Sequence, residues 1–347
     1  MIQQLIDRYK RLRTERHLCQ TYKCSYAFVG MGQHSLTNLY PTLHYLGVPL
    51  KYICATSERK ARLIERKFPH VKATTSLDDV LNDETIKGVF VSTSPAVHFS
   101  IASQILKSGR SLFIEKPPCQ TLDELNTLVD LQRLHGSFVA MVGLQKRYAP
   151  AVQILRKRFT KERLINYDFH YLTGAYPEGD ALLDLFIHPL DLVINLFGKP
   201  EILACQRVAN DSYILMVRHP HIIGTLELST AYTWTAAEES LKACTSKGIY
   251  RLSQMDELTF EPKSSTFIGI PIEKVHKCNK SIEHLYARNN FAPILPNNQI
   301  YSQGYFSEIQ SFVDAVEGNT SRVISSIETI RETYQVIEAI KLQLSLS

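Results

Sequence analysis

The chain has 347 residues, 44% of them hydrophobic, which is enough apolar material for two domains with cores of their own. Its formal net charge is +5, and residues 1–24 carry +4 of it, because Arg8, Lys10, Arg11, Arg13, Arg16 and Lys23 outnumber Asp7 and Glu15. A nearly neutral body excludes a field suited to wrapping nucleic acid, and no run approaches the roughly 18 apolar residues of a membrane span.

The seven cysteines are scattered, odd in number and free of Cys-x-x-Cys pairs. They suggest neither a disulfide framework nor a zinc knuckle, and read as reduced thiols of a cytoplasmic protein. The amino terminus lacks the apolar core of a secretory signal. Its apolar residues Ile2, Leu5, Ile6, Tyr9 and Leu12 follow helical spacing. This predicts an amphipathic arm over residues 1–24 that has to bury its stripe on the body or on a neighbouring subunit.

An apolar strand over residues 25–31 then runs into Gly30-Met31-Gly32-Gln33-His34-Ser35, with a helical pattern to residue 46. Glycines here allow a tight turn and let the backbone approach a pyrophosphate lying on the helix N-terminus. Ser35 replaces the usual third glycine and is small enough to keep helix and strand close. Taken alone, the turn is also compatible with a plain strand-to-helix connection. A second strand over 50–55 and a helix over 57–68 complete a βαβ unit. The acid expected to grip an adenosine ribose is replaced by Ala55, followed by Thr56, Ser57 and Arg59. Small hydroxyls and a cation suit a 2′-phosphate, so the segment favours NADP over NAD.

Strands near 71–74, 88–92, 111–114 and 138–143 alternate with helices over 77–81, 96–108 and 122–134. That rhythm predicts a parallel, doubly wound sheet. The fifth strand ends in Glu115-Lys116-Pro117-Pro118. A lysine there stands at the carboxyl edge of the sheet, where open α/β sheets bind ligands, and a long cation can hold a substrate oxygen during hydride transfer. An exposed lysine at an ordinary strand end is the competing reading.

Past residue 143 the rhythm changes. Strands are expected over 165–171, 202–208, 213–218, 224–232 and 241–244, a helix over 181–197, a long loop over 289–303, and helices over 305–316 and 326–342. This is an α+β domain with an antiparallel or mixed sheet. Within the middle helix, Asp184 and His188 are four residues apart and so share a face, with Asp191 a further turn along. An imidazole beside a carboxylate has the parts of a general acid/base. A satisfied core histidine fits the same residues, and Pro189 points to a kink or a fresh helix start. Two carboxylates and one histidine could ligate a metal, but no further His/Cys cluster supports it, so no metal is expected.

The glycine turn, Thr93-x-Pro95-x-x-His98, Glu115-Lys116-Pro117 and Asp184-x-x-x-His188 occur in one order that resembles the Gfo/Idh/MocA family. The resemblance spans roughly residues 25–345. It implies a Rossmann domain over 25–145, followed over 146–347 by an α+β domain with a large open, mostly antiparallel sheet for substrate and oligomerisation. It implies an NAD(P)-dependent oxidoreductase acting on a secondary alcohol or carbonyl of a sugar or cyclitol. Lys116 then holds the reacting oxygen and His188 passes the proton, with Asp184 orienting or binding substrate. Gly30, Gly32, Gln33, His34, Thr93, Ser94, Pro95, His98, Glu115, Gln145 and Arg147 fall on cofactor-lining positions, and Tyr305 is a further substrate contact. Family members commonly assemble as homodimers or homotetramers through the open sheet. A silent cofactor-binding sensor and a redox-assisted glycosidase are the alternatives within the same family. Asp180 and Phe186 stand where the family often has glycines, and Gln145 replaces the commoner asparagine.

Overall fold

The structure is a computed structural model that describes residues 2–19, 22–134, 136, 138–176, 179–275, 281–292, 294–320 and 323–346. Six short apolar segments form the first sheet: β1 (Ser25–Val29), β2 (Leu50–Cys54), β3 (Lys72–Thr74), β4 (Ile86–Val91), β5 (Ser111–Glu115) and β6 (Ala140–Gly143). Their order is β3-β2-β1-β4-β5-β6, every pair parallel. Near-continuous burial along β4 and β5 is what a parallel sheet covered on both faces requires.

The pleat sends alternate residues to opposite faces. Ala27, Val29, Val89, Val91, Leu112 and Ile114 pack with the helices His98–Lys107 and Leu122–Leu134. Tyr26, Phe28, Phe90 and Phe113 point the other way, toward Leu39 and Leu43. The remaining cover on that face comes from far along the chain: Ile309, Phe312 and Val313 of the helix Tyr305–Val316. Phe312 stands edge-on to Phe90 and Phe113, with ring centroids 5.0 and 5.8 Å away.

The second sheet contains β7 (Leu164–Leu172), β8 (Glu201–Ala209), β9 (Ser212–Arg218), β10 (Ile223–Ser229), β11 (Glu238–Thr245), β12 (Gly248–Ser253) and β13 (Glu257–Pro262). A small hairpin, β14 (Thr266–Phe267) with β15 (Ile270–Pro271), precedes its last strand, β16 (Glu283–Ala287). The order is β16-β13-β12-β11-β7-β10-β9-β8. Among the described residues only β7 and β10 pair in parallel; the other contacts are antiparallel. β9 and β12 alternate buried and exposed residues, the signature of a sheet with one covered face. On the uncovered face Ile165, Ile214, Met216 and Ile223 are exposed.

Several sequence expectations need correction. The expected strand series omits β12, β13 and β16, whose short alternating runs are masked by intervening turn residues. The expected loop over 289–303 contains a 3-10 turn, Leu295–Asn297, and a short helix, Gln299–Ser302. The expected helix over 181–197 is two helices, Ala181–Asp184 and Ile187–Phe197, broken at Leu185 and Phe186. Pro189 thus falls in the first turn of the second helix, where its missing N–H leaves no hydrogen bond unmade. The amino-terminal helix forms over Ile2–Cys19, but Ile2, Leu5 and Tyr9 remain 75%, 61% and 64% exposed, so the body does not cover its stripe.

Candidate active site

The carboxyl edge of the first sheet is built from the turn after each strand. After β1, Gly30 has φ +89, and a Cβ there would meet the Ser92 carbonyl oxygen at 2.3 Å, so this close approach to β4 requires glycine. A Cβ on Gly32 would meet nothing within 4 Å, which leaves the turn open on its outer side. Ser35 is fully buried and its hydroxyl donates to Ser92 Oγ at 3.0 Å, fastening the start of the helical segment to the end of β4. That segment opens with a π-helical turn, Ser35–Leu39, before the α-helix Tyr40–Leu46.

The strand order reverses between β1 and β4, and such a switch point leaves a crevice beyond the strand ends. Here it is the mouth of a cavity of about 610 Å³. From the first sheet His34, Thr93, Pro95, His98, Glu115, Lys116 and Gln145 line it; from the other side come Tyr171, His188, Glu239 and Tyr305. His98 bridges two loops, with Nδ1 at 2.7 Å from the Pro117 carbonyl and Nε2 at 3.1 Å from that of Thr93. The Lys116–Pro117 peptide beside it is cis.

Lys116 leaves the end of β5 and its Nζ donates to the Asp184 carbonyl at 2.6 Å. Burial lowers the pKa of its ammonium, opposed by the charges of Glu115 and Asp184. His188 lies in the first turn of the second helix, Ile187–Phe197, and lines the same cavity. Burial first, then the positive charges of Lys116 and Lys146, hold its imidazole well below the usual histidine range. It is therefore neutral at physiological pH, with a nitrogen able to take a proton.

Asp184 does not pair with His188. The helix break separates them, and Asp184 Oδ2 instead accepts the Asp180 amide at 3.1 Å, while Oδ1 has no hydrogen-bond partner among the described residues. The residue reaches the site through its backbone oxygen.

Arg147 also differs from expectation. The 3-10 turn Gln145–Tyr148 turns Gln145 and Lys146 into the cavity and Arg147 away from it. Arg147 is 2% exposed and binds Asp191 through Nε at 2.8 Å and Nη2 at 2.5 Å, with Nη1 on the Ile324 carbonyl and Thr329. Lys146, which sequence reasoning passed over, pairs with Glu239 and lies 4.7 Å from the centre of the Tyr171 ring. Both partners of that pair are buried on the cavity wall. Its place beside the arginine that the resemblance matches is the one signal the sequence offers, and periodicity does not say which of two adjacent cations turns inward.

Gln145 donates to the Tyr305 hydroxyl at 3.3 Å, bringing the helix Tyr305–Val316 to the cavity rim. Thr56, Ser57 and Arg59 lie exposed past the end of β2, outside this cavity. Ser57 caps the helix Glu58–Lys67 by accepting the Lys60 amide at 3.4 Å. Gln33 and Ser94 are exposed beside the crevice and do not line the cavity.

Residues 24–144 match the family model GFO_IDH_MocA, described as an oxidoreductase family with an NAD-binding Rossmann fold. Over this stretch the chain is similar to the Gfo/Idh/MocA oxidoreductases. Among relatives, the uncharacterized oxidoreductase YhhX of Escherichia coli is 27% identical over 189 residues, 50% of this chain and 54% of its own length. Inositol 2-dehydrogenase of Salmonella typhimurium is 22% identical over 188 residues, 52% of this chain and 55% of the relative. The chain thus spans about half the length of the curated relatives it matches. Levoglucosan dehydrogenase, solved in complex with NADH and levoglucosan, has a TM-score of 0.78 at 17% identity, covering 93% of this chain and 97% of that one. The likeness in fold therefore takes in both sheets. The open glycine turn at a strand-order switch fits the dinucleotide that the Gfo/Idh/MocA Rossmann fold binds.

Proposed function

We propose that the chain is a nicotinamide-dependent oxidoreductase acting on a secondary alcohol or carbonyl of a sugar or cyclitol. The observation that carries this reading is that Lys116 and a neutral His188 line one cavity that reaches His34, just past the glycine turn. Residues 25–145 hold the dinucleotide and residues 146–347 supply the substrate wall. A nicotinamide bound there supplies the hydride acceptor or donor.

The chain's own residues do the rest. The Lys116 ammonium donates a hydrogen bond to the reacting oxygen and stabilises the negative charge that grows on it. His188 accepts the hydroxyl proton in oxidation and returns it in reduction. Asp184 acts through its carbonyl, which fixes the Lys116 side chain. Lys146 and Glu239 neutralise each other on the wall, which favours a neutral polyhydroxy compound over an anionic one. Inositol 2-dehydrogenase and levoglucosan dehydrogenase, to which the chain is similar, are named for substrates of that kind.

Ala55, with Thr56, Ser57 and Arg59 beyond it, supports NADP over NAD. The exposed apolar face of the second sheet supports a homodimer or homotetramer. The deciding experiment is titration of the purified protein with NADPH and NADH, read by nicotinamide fluorescence, followed by a screen of sugars and cyclitols for cofactor turnover. Failure of both dinucleotides to bind would overturn the reading.

A further inference from the structure

His34 belongs to the turn after β1, and Glu115 ends β5, yet the two side chains meet: His34 Nε2 lies 3.3 Å from Glu115 Oε1. Between β1 and β5 in the sheet runs β4. The contact therefore passes over the carboxyl end of β4, above Ser92 and Thr93. A dinucleotide whose pyrophosphate rests on the glycine turn and whose nicotinamide reaches Lys116 has to cross the same place.

The bar is held at both ends. Asn38, on the π-helical turn, meets His34 Nδ1 at 3.0 Å, and its amide serves either protonation state, as N–H donor to a neutral ring or, turned over, as oxygen acceptor for an imidazolium. The Tyr305 ring lies on the other side, with centroids 5.7 Å apart. The Glu115 carboxylate stands against Gly143, where an added Cβ would come within 3.0 Å of it.

We propose that His34 is a latch on the dinucleotide crevice: its contact with Glu115 closes the crevice over β4, and the contact has to open for the dinucleotide to enter. This rests on the dinucleotide-binding reading above. The charged groups facing the ring are Glu115 and Lys116 from the end of β5; the titratable ones are His188 across the cavity and the Tyr305 phenol from the helix Tyr305–Val316. Burial opposes protonation of His34 and Lys116 repels it, but the hydrogen bond and charge of Glu115 prevail, so the pKa of the closed latch is raised. Protonation thus strengthens the closed form. Binding that opens the latch must release that preference, and by linkage the dinucleotide binds more tightly as pH rises through the His34 titration.

The His34 side chain is 42% exposed, which limits the effect to that of a half-exposed ion pair. The expected gain in affinity between pH 6 and 8 is roughly two- to fivefold. The test follows the His34 ring by NMR in the free protein, in Glu115→Gln and with NADH or NADPH at saturation, alongside dinucleotide Kd against pH for wild type and His34→Gln. The expected result is a raised pKa in the free protein that falls in Glu115→Gln and on dinucleotide binding, with a pH slope of Kd that His34→Gln removes. An ordinary pKa in the free protein, a pKa that rises on binding, or a slope that survives in His34→Gln overturns the latch. Loss of all dinucleotide binding with the raised pKa intact would instead overturn the cofactor reading, and leave the latch nothing to gate.

Discussion

Arg147 and Asp191 form a buried two-pronged ion pair, Nε to Oδ2 at 2.8 Å and Nη2 to Oδ1 at 2.5 Å, that ties the turn carrying Gln145 and Lys146 to the helix carrying His188. Thr333 adds a hydrogen bond to Asp191 at 3.1 Å from a third segment. Three segments thus meet at one carboxylate, two of them carrying cavity residues, although neither member of the pair lines the cavity.

Removing that carboxylate leaves a desolvated guanidinium without its counter-charge. Asp191→Ala is expected to lower stability by about 3–5 kcal/mol. Urea unfolding followed by circular dichroism checks it, and a variant within 1 kcal/mol of wild type would show that the pair does not hold the frame.

His188→Ala is expected to reduce turnover by about 10²–10⁴-fold while leaving dinucleotide binding in place. Because burial and the neighbouring lysines depress the His188 pKa below 6.5, the base form persists as pH falls, and the acid limb of oxidation should lie below pH 6.5. A pH–rate profile of wild type, measured on whichever alcohol the screen yields, tests the position of that limb.

Glu308 is fully buried in the helix behind Gln145, with only the Leu144 backbone opposing the cost of burying its charge by a hydrogen bond among the described residues. Burial and the nearby charge of Glu115 push its pKa well above 4.5. The sign follows: folding favours the protonated acid, so this contribution is complete below pH 4.5 and is lost as pH rises toward the folded pKa. Glu308→Gln, which cannot ionise, should gain on wild type by about 1.4 kcal/mol for each pH unit in that window. Parallel melting curves at pH 5 and pH 8 measure it; an unchanged difference between the two would show Glu308 is not held as the acid.

At the end of β2, Ala55→Asp should move preference from NADPH toward NADH, and Arg59→Ala should weaken NADPH roughly tenfold or more, the worth of one charge-assisted hydrogen bond. Fluorescence titration of both cofactors against both variants reads this. Equal loss of NADH and NADPH in Arg59→Ala would place the arginine away from the 2′ position.

The first sheet was legible because each strand is a compact apolar run closed by a turn, as in Phe28 and Val29 before Gly30 or Ile114 and Glu115 before Lys116. Lys116 and His188 could be placed near one another at the cavity because their positions follow from a strand end and a motif. Their neighbours could not. Whether Asp184 touches His188 depends on a two-residue break in the helix, and whether Lys146 or Arg147 turns inward depends on the pitch of a four-residue 3-10 turn. His34 meeting Glu115 joins residues 81 apart, a contact set by strand order.

The helix Tyr305–Val316 covers the aromatic face of a sheet whose strands all lie before residue 144. Just past that helix, the Glu317 carboxylate accepts the amides of Lys23 and Cys24 beside β1. During synthesis, therefore, the six strands leave the ribosome well before the segment that seals Phe90 and Phe113. Although encoded first, this sheet waits for a cover that is made only after the second sheet, and for most of translation its aromatic face has to be kept from sticking to its neighbours.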